Sequence, residues 1–82
     1  MNQILIIEDE EVIRNALQRL LGRRGYRASG AGSVEEAEQA WDLSGFDLII
    51  ADVRLPCVPG TEAIRRAAGV PVLIMKIGRA HV

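Results

Sequence analysis

Two runs of branched apolar residues, Ile4-Leu5-Ile6-Ile7 and Leu48-Ile49-Ile50-Ala51, each end directly on acid: Glu8-Asp9-Glu10-Glu11 follows the first and Asp52 the second. An unbroken apolar run suits a strand buried on both faces, and such strands belong to parallel sheets covered by helices. A sheet with one wet face would show alternation, and these runs do not alternate. From Glu11 to about Arg24, Val12, Ile13, Ala16, Leu17, Leu20 and Leu21 recur at helical spacing and are expected on one buried stripe. The acidic start and the Arg23-Arg24 end of that helix suit its dipole, and Gly25 supplies a left-handed stop.

A weaker strand is expected over Tyr26 to Ser29. Gly30-Ala31-Gly32 follows it and reads as a loop. Ser33-Val34-Glu35-Glu36 matches a capping box, so a second helix is expected from Val34 to near Ser44-Gly45, with Ala37, Ala40 and Trp41 inward. The segment from Arg54 to Gly60 holds two prolines and must be a loop. A short helix over Thr61–Ala68 and a fourth strand over Val70–Met75 complete the pattern. Strands alternating with helices define an α/β fold with a mainly parallel sheet, and ligands of such sheets bind beyond the carboxyl ends of the strands.

The 82 residues allow one small domain. Ten Lys and Arg against eleven Asp and Glu give a net charge of −1, which offers no basic field for direct nucleic acid binding and no polybasic membrane footprint. No apolar run approaches the roughly 20 residues that cross a bilayer. With the single Cys57 and no signal-peptide pattern at the start, a cytoplasmic location is expected.

If the two acid-tipped strands are neighbours, about 4.8 Å apart, Glu8, Asp9 and Asp52 converge on one pocket. Either one carboxyl keeps its proton or a cation sits among them. An all-oxygen site with open positions suits Mg²⁺, and a carboxylate at a strand end beside that ion suits phosphoryl transfer. Glu10 and Glu11 are read as helix-start charges, and lone His81 has no partner with which to hold a metal.

The order of Ile6-Ile7-Glu8-Asp9-Glu10, Phe46-Asp47-Leu48-Ile49-Ile50-Ala51-Asp52 and Asp52-Val53-Arg54-Leu55-Pro56 through Gly60 resembles the receiver domain of two-component response regulators. That resemblance implies a flavodoxin-like doubly wound parallel sheet, here incomplete, with four of five strands in the order 2-1-3-4. It implies that Asp52 accepts a phosphoryl group from a sensor histidine kinase. Glu8, Asp9, Asp52 and the backbone carbonyl of Arg54 would hold Mg²⁺. The domain would then be a switch, not a turnover enzyme, and the input to a transcriptional regulator whose output domain is absent here. Two alternatives are a phosphorylation-independent interaction module and an inactive gene fragment. Phosphatases of the haloacid dehalogenase type want a second Asp two positions after the nucleophile, where this chain has Arg54. The glycines at 30 and 32 follow the second strand, not the first, and do not make a dinucleotide motif.

The resemblance covers about residues 3 to 75. The family's Ser or Thr beyond strand four falls on Lys76, and its Lys after strand five has no counterpart. The remaining residues, Lys76-Ile77-Gly78-Arg79-Ala80-His81-Val82, back-translate as AAG ATC GGA AGA GCA CAC GTC, an in-frame reading of a widely used sequencing adapter. The expectation is a partial receiver over 1–75 and a non-native tail over 76–82, decided by resequencing the source locus past codon 75. Loss of the last strand and helices should expose apolar surface and reduce the solubility of the 82-residue chain.

Overall fold

The computed structural model describes residues 2–52 and 69–75. Strand β1 spans Gln3–Ile7, helix α1 Glu11–Arg23, β2 Arg27–Ala31, α2 Val34–Ala40, β3 Leu48–Asp52 and β4 Val72–Met75. A single 3₁₀ turn over Leu43–Gly45 links α2 to β3. All four strands are parallel and lie in the order β2-β1-β3-β4. Among the described residues, the expected flavodoxin-like order 2-1-3-4 is the observed one.

The apolar run of β1 occupies the middle of the sheet because both of its faces find cover. Leu5 and Ile7 join Ala31, Val34, Ala37, Leu43, Phe46, Ile49 and Ala51 on the α2 side. Ile4 and Ile6 join Ile50 on the α1 side, with Leu17, Leu21, Ala28 and Met75 packed against them. Asp47 sets the register of β1 against β3 at its start: its N–H donates to the Gln3 carbonyl at 2.8 Å, and its carboxylate accepts from the Gln3 N–H at 2.7 Å.

Helix α1 begins and stops where the sequence directs it. Gly25 has φ +92°, and the Tyr26 N–H donates to the Leu21 carbonyl while the Gly25 N–H donates to that of Gly22. This is a Schellman closure, and only glycine takes that backbone without strain. The apolar stripe is narrower than its spacing suggests. Ile13, Leu17 and Leu21 are half-buried, whereas Val12, Ala16 and Leu20 face water, Val12 being 81% exposed.

Three local expectations are corrected. Strand β2 runs over Arg27–Ala31, not Tyr26 to Ser29, so Gly30 and Ala31 belong to the sheet and pair with Ile6 and Ile7. Pairing with a buried neighbour overrides the poor strand propensity of glycine. Helix α2 ends at Ala40 because Trp41 is extended, and Asp42 then caps the 3₁₀ turn by accepting from the Ser44 N–H. Ala40 and Trp41 are consequently exposed, and the places they were expected to fill belong to Leu43 and Phe46. Strand β4 begins at Val72, two residues after the expected Val70. The expected loop after Asp52, the short helix over Thr61–Ala68 and the tail from Lys76 lie outside the described residues.

Candidate metal and phosphoacceptor site

The acidic residues meet because of register. Ile7 is the pairing partner of Ala51 across β1 and β3, so the residues that follow each run, Glu8 and Asp52, stand side by side at the carboxyl edge of the sheet. Glu8, Asp9 and Asp52 each offer a carboxylate oxygen, and these oxygens lie within 4.8 Å of one another. Glu8 and Asp52 are buried and Asp9 is exposed. The structure thus brings together three of the four residues expected around Mg²⁺. The fourth, Arg54, lies outside the described residues.

Burial of Glu8 disfavours its charged form and pushes its pKa from 4.5 up to about 7. The Glu10 N–H, which donates to Glu8 Oε2 at 2.9 Å, works against that rise, while the Asp9 and Asp52 side chains add to it. A proton on one member relieves the repulsion of such a cluster, and so does a divalent cation. The donor set consists of hard oxygens with open positions between them, which fits Mg²⁺ and not a metal that favours sulfur or imidazole. Asp52 adds a buried carboxylate at the strand end, a group able to act as an oxygen nucleophile when opposing charge is screened.

One residue at this edge escaped the sequence reading. Arg14 sits one turn into α1, and its Nη1 donates to the backbone carbonyl of Glu8 at 2.9 Å. The available signal was a cation placed directly after Ile13, one helical turn beyond the acid cluster.

Fold and acidic edge together define a receiver domain of two-component response regulators. The response regulator receiver domain model matches residues 4–77, and the chain belongs to that family. Among relatives, it is 37% identical over 78 residues to the transcriptional regulatory protein AfsQ1 of Streptomyces coelicolor, covering 92% of this chain and 35% of that one. The response regulator TrrA of Thermotoga maritima, solved in complex with Mg²⁺-BeF, superposes with a TM-score of 0.73 at 34% identity, covering 90% of this chain and 66% of that one. A Burkholderia pseudomallei response regulator with a phosphorylated aspartic acid and a calcium ion gives 0.78 at 28% identity, covering 90% and 46%. The chain spans about a third of the length of the curated relatives it matches. No helix among the described residues is long and apolar enough to cross a membrane.

Proposed function

We propose that this receiver domain accepts a phosphoryl group on Asp52 from a sensor histidine kinase in a Mg²⁺-dependent reaction. The observation that carries this reading is the convergence of Glu8, Asp9 and Asp52 on one carboxyl edge, produced by the pairing of Ile7 with Ala51. An oxygen of Asp52 attacks phosphorus as the bond between phosphorus and the donor group breaks. Glu8, Asp9 and Asp52 would hold the ion, with the Arg54 carbonyl as a further ligand. The ion, when bound, neutralises charge on the transferred group. Burial of Asp52 limits competing water.

The domain acts as a switch input that reacts on itself and not as a turnover enzyme. A regulator with an output domain, as in the transcriptional relatives, is the parent we infer, working in the cytoplasm. Incubation with Mg²⁺ and a small acyl phosphate, followed by intact-mass measurement, tests the reading. One added phosphoryl mass is expected, absent in Asp52→Asn and absent with a chelator. No added mass in the wild-type chain would reject it in favour of an interaction module or an inactive fragment.

A further inference from the structure

Gly30 and Gly32 have no role in the site as described, and neither owes its place to a positive φ, which among the described glycines occurs only at Gly25 and Gly69. Space explains them instead. A β-carbon at Gly30 would stand 2.6 Å from Gln18 Oε1 and 3.0 Å from Arg14 Cδ. One at Gly32 would stand 3.0 Å from Glu36 Oε1 and 3.5 Å from Arg14 Nη1. The two glycines leave a shallow berth at the end of β2, and the Arg14 side chain lies across it to reach Glu8.

The destination matters because of where the ladder ends. The Glu8 N–H donates to the Ala31 carbonyl at 2.9 Å, the last bond β2 provides before the chain departs. N–H and C=O of one strand residue point to the same side, so the Glu8 carbonyl also faces β2, past the last strand residue Ala31, where a donor has to come from outside the ladder. Arg14 Nη1 supplies it. Glu8 is then held by its N–H, by its carbonyl and, through Oε2, by the Glu10 N–H.

We propose that Arg14, berthed on Gly30 and Gly32, is a positioning residue that fixes the Glu8 carbonyl and so aims the Glu8–Asp9 pair at the shared ion. This rests on reading the acid cluster as a Mg²⁺ site. Its effect has a sign opposite to that of plain charge. Removing a guanidinium beside three carboxylates should, by Coulomb attraction alone, strengthen cation binding. Loss of positioning weakens it, and outer-shell partners of metal ligands typically account for about 10–100-fold in affinity.

Calorimetric titration of the 82-residue chain with Mg²⁺ is the test, with a circular-dichroism melt of each variant as the check on folding. Arg14→Met is expected to bind Mg²⁺ about tenfold more weakly than the wild type. Arg14→Lys should recover part of the loss, because its ammonium also donates to a carbonyl. Gly30→Ala should weaken binding while keeping every charge, since the added methyl overlaps Gln18 Oε1 and crowds Arg14 Cδ, shifting both side chains from the berth. Equal or tighter binding by Arg14→Met, with the wild type binding normally, overturns the positioning role and leaves the Mg²⁺ site standing. Absence of binding in the wild type removes both. Should Arg14→Met fail to fold, unchanged affinity in both Arg14→Lys and Gly30→Ala overturns the inference just as well.

Discussion

The two faces of the sheet draw on the same strands and are closed to very different degrees. On the α2 side, Leu5, Ile7, Ile49 and Ala51 meet Val34, Ala37, Leu43 and Phe46 in a continuous buried cluster, with Trp41 edge-on to Phe46 at 5.8 Å. On the α1 side, among the described residues, burial is complete only for Ile4, Ile6 and Ile50. There Leu73 of β4 is 55% exposed, and the outer row of α1, with Leu20 at 50%, stands in water. Strand residues alternate between faces, so both sides receive comparable hydrophobicity. Cover decides closure, because among the described residues α1 packs on β1 and β2 and no other described helix lies on that face.

The largest expected effect tests the closed face. Ile49→Ala removes a fully buried side chain and should cost about 2–5 kcal/mol in denaturant unfolding, enough to unfold much of a small domain. A cost below 1 kcal/mol would mean that the α2 side is not the main source of stability.

The second effect tests the edge where the two faces meet. Glu8 has a folded pKa raised above its ordinary value, so the folded state binds more protons than the unfolded one between pH 4.5 and about 7. Without added metal, stability should therefore fall as pH rises through that window. Glu8→Gln should flatten the fall and raise the melting temperature at pH 8, while weakening Mg²⁺ binding. A metal-free wild-type protein whose stability rises over the same window would refute the assignment.

A smaller effect belongs to the start of α2. Ser33 Oγ accepts from the Glu36 N–H at 3.1 Å, and the Glu36 carboxylate accepts from the Gly32 N–H at 2.9 Å. Ser33→Ala should cost about 1 kcal/mol in the same unfolding measurement. The smallest effect sharpens the contrast from the open side. The double change Val12→Ser with Leu20→Gln should shift stability by no more than about 0.5 kcal/mol while lowering self-association in sedimentation experiments. A loss comparable to that of Ile49→Ala would show that the outer row of α1 is covered after all.

The sequence made the central strands and the acid cluster legible because each depends on local pattern: unbroken apolar runs, their spacing, and the acids that end them. Helix α1 was legible in extent and less so in orientation, since spacing alone places Val12 and Leu20 beside Ile13 and Leu21 without saying how wide the cover is. The end of α2 was misread because Trp41 fits an apolar stripe, whereas the Asp42-x-Ser44 turn that breaks the helix acts through a side-chain hydrogen bond. Gly30 was misread for a related reason: its place in β2 comes from pairing with Ile6, a partner 24 residues away. The helix-capping serine, by contrast, could be identified directly. Its Glu36 partner reaches back to Gly32 and not to Ser33, one residue beyond the usual capping-box contact.

The strand order also governs how the chain finds this arrangement. The register joins Gln3 to Arg27, Ile4 to Leu48 and Ile49 to Val72, separations of 24, 44 and 23 residues. No pair is a hairpin that could zip from a tight turn, and each requires closure of a long loop before any contact repays it. Strand β1 precedes both of its neighbours in the chain, so it needs two later partners. During synthesis β1 must wait as an unpaired apolar ribbon until β3 has been made, which slows nucleation and keeps its hydrophobic side chains uncovered in the meantime.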